Sequence, residues 1–344
     1  MNNNNKKEKI MNKYTKLGVS ALCGSLAAVS AANAGDLSVS GGVDMSWISL
    51  PKAETGNPIG IGSNYTLSGS GELDNGWSVA LSIAATNRMA YSTTNVTVTV
   101  PSIGDLIITQ GGTGKGIDRM DDVTPNVWEE AYGTGLSNGI QTVNGSTTGA
   151  GIEWTPNMMP DGLTARIFYS PDVTGAPTAE KQGSGSAINS GSSGYDVTLV
   201  ATDAITGMPG LTIGGGYAEF DRTAASGDAS DTTVYATYAI GGLTVGYQWS
   251  EADLGTTTGA QQYDNDGYGI TFAINDDLSI GYNHYESEQS NSTNVTAEAT
   301  SVQIAYSMGG ASIRLASSEG DNMAYQTGAA YDRDNTVLSV SLAF

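Results

Sequence analysis

Cysteine and histidine are almost missing from this chain: 344 residues hold one of each, Cys23 and His284. Basic residues are scarce as well, with 14 Lys and Arg against 35 Asp and Glu. Binders of nucleic acid need basic patches to neutralise phosphate, so that class is excluded. Beyond residue 34 no uncharged apolar stretch reaches the roughly 20 residues of a membrane-spanning helix. The sequence has 9 Pro and 4 Phe beside 46 Gly, a composition of β-turns rather than of helices.

The N-terminal segment reads as a secretory leader. Lys6, Lys7, Lys9, Lys13 and Lys16 form a basic start, and Leu17 to Ala32 is an uncharged run rich in Ala, Ser and Leu. Ala32-Asn33-Ala34 then supplies the small-x-small pattern of a cleavage site, which puts the mature start at Gly35. A start of translation at Met11 would give this leader a more ordinary length. Cys23 lies inside it and follows Leu22, which is not the small residue that lipid attachment wants. The mature chain, 35–344, would therefore have no cysteine, and its stability must come from its fold or its surroundings. It would carry 9 basic and 34 acidic residues, a net charge of −25.

Along that chain short segments alternate between apolar and polar residues. Trp77, Val79, Leu81 and Ile83 share one parity against Ser78 and Ser82; Leu243, Val245, Tyr247 and Trp249 share one against Thr244, Gly246 and Gln248. Period two means one face in an apolar medium and the other in a polar one. At the C-terminus Leu338, Val340, Leu342 and Phe344 alternate with Ser339, Ser341 and Ala343. A last strand of this kind ending on Phe resembles the assembly signal of outer-membrane barrels. With no spanning helix, a closed barrel is the remaining way to cross a bilayer.

The connectors alternate between short and long. Compact ones fall at 74–76, 102–105, 157–162, 204–210, 241–242, 275–277 and 308–310. Longer polar ones fall near 50–58, 86–94, 112–148, 171–193, 221–231, 251–266, 286–295 and 318–334. Seven turns and eight loops predict a single all-β domain: a transmembrane antiparallel barrel of about sixteen strands, with short periplasmic turns and long external loops. Tyr is the main aromatic, with 17, and many sit near segment ends on the apolar parity, as interfacial girdles do.

The opening Gly35-Asp36-Leu37-Ser38-Val39-Ser40-Gly41, the turn Gly71-Glu72-Leu73-Asp74-Asn75-Gly76-Trp77, the segment Gly104-Asp105-Leu106-Ile107-Ile108-Thr109 and the terminal Phe344 resemble the trimeric general porins of Gram-negative bacteria, especially those of alphaproteobacteria. The resemblance implies a sixteen-stranded barrel, a homotrimer, and a third loop folded inward as a constriction. The enterobacterial motif Pro-Glu-Phe-Gly-Gly is missing, and the basic cluster facing that loop is thin.

The candidate constriction is the stretch 112–148, the longest without alternation. Loops this long are usually functional or disordered. It carries Asp118, Asp121, Asp122, Glu129 and Glu130 against Lys115 and Arg119. Acids at a narrow point favour cations; a solvated outer loop is the bland alternative. Strand parity points Arg166 and Arg314 to the lumen, with Arg88 near the end of the third strand. Asp44 and Asp196 share the inward parity.

Catalytic signals are weak. Gly135-Leu136-Ser137-Asn138-Gly139 matches the nucleophile-elbow spacing once, in an irregular stretch, and His284 is the only histidine that could serve such a serine. Gly111 to Gly116 lacks the Ser/Thr and spacing of a phosphate loop. Asp264-Asn265-Asp266-Gly267 lacks the distal Glu of a calcium loop. His284 continues an outward parity and reads as an interfacial ring.

The expectation is a non-enzymatic outer-membrane pore, without cofactor or bound metal, passing small hydrophilic solutes and ions with a mild preference for cations. A substrate-specific channel is the alternative, and an esterase or adhesin barrel stands last. Outer-membrane lipid and lipopolysaccharide would surround it, and its acidic loops would attract divalent cations, unless the acids serve only solubility.

If Phe344 marks the barrel for insertion, its deletion should leave periplasmic, protease-sensitive protein. Heat-modifiable assembly on gels checks this, and normal assembly of the deleted chain would contradict the reading of the last strand.

Overall fold

The computed structural model describes residues 37–49, 56–111, 114–136, 140–147, 150–173, 193–221, 227–256, 259–290 and 294–343. The expected leader, Ser137 and Phe344 lie outside them. The alternating segments form β1 (Ser38–Ile48), β2 (Ile59–Glu72), β3 (Ser78–Thr86), β4 (Ala90–Val100) and β5 (Gly104–Gln110). Then follow β6 (Gly151–Pro156), β7 (Leu163–Ser170), β8 (Gly194–Ala201), β9 (Leu211–Phe220) and β10 (Ala229–Ile240). The last six are β11 (Leu243–Asp253), β12 (Gln262–Ala273), β13 (Leu278–Ser290), β14 (Val295–Met308), β15 (Ala311–Asp321) and β16 (Arg333–Ala343).

Each strand pairs antiparallel with its sequence neighbours, and β1 closes on β16 through Asp44 opposite Ser341, Met45 opposite Val340 and Trp47 opposite Leu338. Closure leaves no sheet edge, which is the condition for a sheet to stand in lipid. All seven short turns lie where the sequence put them. Two are held by asparagine: Asn75 Oδ1 accepts the Trp77 N–H at 3.1 Å, and Asn275 Oδ1 accepts those of Asp277 and Leu278 at 2.9 Å.

The register fixes which side chains face out. On β14 and β15, Val302, Ile304 and Tyr306 stand beside Ser317, Leu315 and Ile313, and the outward members are mostly large, apolar and exposed. Of the tyrosines near segment ends on the apolar parity, Tyr169, Tyr217, Tyr247, Tyr268 and Tyr306 are exposed on this face and Tyr282 is half-buried on it. His284 is outward too, its ring 4.8 Å from that of Tyr268 and its Nδ1 2.9 Å from Thr300 Oγ1. Inward residues include the buried Asp196, Asp231, Gln248, Asn283 and Gln303.

Five loops are shorter than the sequence suggested. The connector expected near 86–94 is Asn87–Met89, and those near 221–231, 251–266, 286–295 and 318–334 shrink to 221–228, 254–261, 291–294 and 322–332. The strands continue beyond the apolar belt, where the outward face meets water and the inward face is buried, so apolar residues no longer keep to the outward parity. Their outward positions there are acids set opposite one another: Glu251 and Asp264, Asp266 and Glu286, Glu286 and Glu298, Glu319 and Asp334. Among the described residues, no lysine or arginine shares that face of the strands.

The parity gives a direct test. Ile304→Lys puts a cation on the lipid face and should cost roughly 2–4 kcal/mol if it lies near the bilayer midplane. Ser307→Lys, inward and exposed, should stay within about 0.5 kcal/mol. Urea-dependent unfolding from lipid vesicles measures both, and equal costs would overturn the assigned faces.

Candidate functional site

The segment between β5 and β6 runs inside the barrel, because inward side chains of the wall bind its backbone. Glu153 on β6 accepts the Gly116 N–H at 2.7 Å and pairs with Arg119 at 2.5 Å. Asp196 on β8 accepts the Ile117 and Ser146 N–H groups, both at 3.0 Å. Asp231 on β10 accepts those of Asn144 and Gly145 at 2.8 and 2.6 Å. Buried carboxylates are costly unless hydrogen-bonded, and here backbone N–H groups and an arginine satisfy them.

Further round the wall the anchors are amides, which donate and accept at once. Gln248 on β11 accepts from Val123 N–H at 3.0 Å and donates to Met120 carbonyl at 2.5 Å. Asn283 on β13 accepts from Ala131 N–H at 2.9 Å, and Gln303 on β14 donates to the Glu129 carbonyl at 2.5 Å. Asn335 on β16 donates to the Gly135 carbonyl. The loop therefore follows the inner wall from β6 to β16.

Packing completes the attachment. Ala131, Leu136 and Ile140 of the loop are buried against Tyr285, Ala297, Ala299, Met323 and Tyr325. Tyr132 meets the Tyr285 ring edge-on, with centroids 5.1 Å apart. Apolar groups on the inner parity of β13 and β14 are thus covered by the loop. Gly246 and Gly269 make room for Pro125: a Cβ at Gly269 would come 2.1 Å from the Pro125 carbonyl oxygen, and one at Gly246 2.5 Å from its ring. Any larger residue at Gly269 would displace the loop.

The five expected acids come together on this loop. Asp118, Asp121, Asp122 and Glu130 are half-buried and Glu129 is exposed. Carboxylate oxygens of Asp122, Glu129 and Glu130 lie within 4.8 Å of one another. Burial pushes the Asp118, Asp121 and Glu130 carboxyls above the ordinary range. Asp122 raises Asp121 further, and a hydrogen bond with Glu129 raises Glu130. Burial, followed by Arg119, lowers Lys115.

The three expected wall arginines part company. Arg314 on β15 faces inward, binds Asp44 at 2.8 Å, and holds its guanidinium 5.3 Å from the Trp128 ring centroid. Arg166 on β7 faces inward and half-buried, near Glu153, Arg119 and Tyr235. Arg88 is not on the wall. It sits exposed in the turn Asn87–Met89 with a left-handed backbone (φ 59), because β3 ends two residues before it.

Glu153, Asp231 and the anchoring amides were not singled out from the sequence. The available signal was polar residues on the inward parity, Gln248, Asn265, Asn283 and Gln303, on four successive strands. Asp264-Asn265-Asp266-Gly267 is plain strand within β12. His284 is on the outer face, across the wall from the described loop residues, and Ser137 lies outside the described residues.

A family model described as Gram-negative porin matches residues 18–344. Among solved structures, OmpF of Salmonella typhi in complex with daunomycin is similar at a TM-score of 0.63 and 11% identity, over 90% of this chain and 98% of that one. The trimer form of OmpT from Vibrio cholerae gives 0.63 and 12%, over 90% and 99%. An anion-selective porin from Comamonas acidovorans gives 0.58 and 14%, also over 90% and 99%. At these identities the likeness is one of fold. No curated protein matches the chain.

Asp231→Ala should strip the Asn144 and Gly145 amides of their acceptor at a cost of about 1–3 kcal/mol per orphaned group. The barrel should still assemble, but its single-channel current should become noisy as the loop leaves the wall. Asp231→Asn keeps an acceptor oxygen and should stay closer to the parent. An unchanged quiet current from Asp231→Ala would remove the carboxylate from the anchoring scheme.

Proposed function

The chain belongs to the Gram-negative porin family, and from that membership we propose that the acids of its third loop form a cation-favouring constriction. The protein is an outer-membrane channel for passive diffusion. The observation that carries the proposal is the crowding of Asp118, Asp121, Asp122, Glu129 and Glu130 on a loop attached to the inner wall, while Arg314 is tied to Asp44 and Arg119 to Glu153. Field lines in a low-dielectric passage spread little, so uncompensated acids there outweigh acids at the mouth. The fold alone does not set the sign of selectivity, since a similar barrel from Comamonas acidovorans is anion-selective. Side chains at the narrow point must set it.

Assembly as a homotrimer is part of the same reading, supported by the trimer form of the similar OmpT from Vibrio cholerae. Residues 1–34 would be the leader removed on export. The outward acids above the apolar belt would gather divalent cations where the barrel meets lipopolysaccharide. Small hydrophilic solutes and ions would pass down their gradients, with no step needing a cofactor. The catalytic reading loses support because the one histidine faces outward.

Reversal potentials in planar bilayers test the constriction. Neutralising the five loop acids to Asn and Gln should move the potential toward zero or invert it. The same treatment of the outward Glu286, Glu288, Glu298, Glu319 and Asp334 should do much less. The preference should fade with salt, as the Debye length falls from about 30 Å at 0.01 M to about 3 Å at 1 M. It should also fade with acid. Burial, then the neighbouring acids, pushes Asp121 up to about 8 and Glu130 up to about 9, so their charge is lost as pH falls through that range and the decline is already under way at neutral pH. Equal effects from the two sets would mean that net charge, not the loop, governs selectivity.

A further inference from the structure

The wall side chains that hold the described loop stand on β6 to β16, from Glu153 round to Asn335. The inner wall of β1 to β5 has a different composition. Its five strands contain no Lys, Arg or His, and their acids are Asp44, Glu72 and Asp105. Inward positions there are mostly Ser, Thr, Asn, Gly and Ala. One polar row stays in direct register across all five strands: Ser38 opposite Ser68, Ser68 opposite Ser82, Ser82 opposite Asn95, and Asn95 opposite Thr109. Ser38 opens β1 on the turn side, and Thr109 lies next to the last residue of β5, where the loop begins. The row therefore climbs from the turn-side mouth to the root of the loop. Along it Ser68, Ser70, Ala80, Ser82, Asn95 and Thr97 line a hollow of ≈ 220 Å³.

Hydroxyls on the two sides of the lumen differ in their partners. On the covered wall Thr233 donates to the Trp249 carbonyl at 3.1 Å, and Ser318 bonds Ser301 at 2.9 Å. On the bare wall the hydroxyls of Ser68, Ser70, Ser82 and Thr97 bind no protein group among the described residues, and the buried Oδ1 of Asn95 has no donor. We propose that this row and its hollow form a track for hydroxyl-rich solutes of one sugar ring, and that a ring also carrying an ammonium, an amino sugar, fits best. The hollow is smaller than the roughly 300–1,000 Å³ of sites for drug-sized ligands, which suits a single ring. Sugar hydroxyls donate and accept at once, as the wall hydroxyls do, so they replace the water on the wall group for group. The loop acids draw the ammonium; that part rests on the cation-favouring constriction, and the hydroxyl track does not. A sugar bearing carboxylate or phosphate finds no cation on these strands and meets the loop acids as like charges. A cation without hydroxyls gains from the acids alone.

The test is block of potassium current through the assembled protein in planar bilayers by glucosamine hydrochloride. Cyclohexylamine hydrochloride serves as a ring cation without hydroxyls, and glucose as the neutral sugar. In the parent, glucosammonium should reach half-block at a concentration at least about threefold below that of cyclohexylammonium. The triple variant Ser68→Ala, Ser82→Ala and Thr97→Val should raise the half-blocking concentrations of glucosammonium and glucose by about threefold or more. That of cyclohexylammonium should not change. Ala80→Leu, which fills the hollow and removes no hydroxyl, should act on the two sugars in the same way. The pair Ser307→Ala and Ser312→Ala, inward on β14 and β15 and off the row, should behave as the parent. Each variant is first checked for heat-modifiable assembly. Should the triple variant fail to assemble, Ser82→Ala alone should give a smaller rise in the same direction. Neutralising the five loop acids should weaken glucosammonium to the level of glucose and leave glucose as it was, so a failure of the constriction reading shows in that variant alone. Equal block by the two cations in the parent would overturn the track. So would sugar block untouched by both the hydroxyl removals and Ala80→Leu.

Discussion

The rest of this structure depends on one constraint: inside a bilayer a peptide N–H or C=O has no water to bind, so every strand must find a neighbour on both sides. The closure of β1 on β16 satisfies that condition for the last two edges. Once the wall is closed, each residue has only two directions to face. Outward positions meet lipid and become Val, Ile, Leu and Tyr; inward positions meet water or the loop. The alternation in the sequence is the imprint of the closed wall.

The loop repeats the same requirement in miniature. Its backbone leaves regular structure inside a confined space, and its N–H groups still need partners. The wall supplies Glu153, Asp196 and Asp231 on one side and Gln248, Asn283, Gln303 and Asn335 further round. This divides the acids of the lumen into two populations. On the wall, Glu153, Asp196 and Asp231 are consumed in holding the loop, and Asp44 in pairing with Arg314. Those on the loop are half-buried and crowded against one another; burial first, and the neighbouring acids after it, raise Asp121 and Glu130.

Outside, the same strands pass through three tiers: an apolar belt, a ring of tyrosines with His284, and opposed carboxylates on the loop side. The acid tier costs electrostatic repulsion within the sheet.

Much of this was legible in the residues. Strand number, the seven turns, the outward tyrosines and the long acidic segment follow from a periodicity of two and from turn chemistry, and both are local: neighbours in sequence decide them. The extended strands of β11 to β16 were not legible, because above the belt the outward face meets water and the inward face meets the loop, so apolar residues no longer mark the outward parity. The pairing of Arg314 with Asp44 joins residues 270 apart, and the hold of Asp231 on Asn144 joins residues 87 apart. Such partners meet only when the wall curves round and closes. The sequence by itself determined which way each strand faces; the tertiary structure decided which inward charges are spent on each other and which remain for the pore.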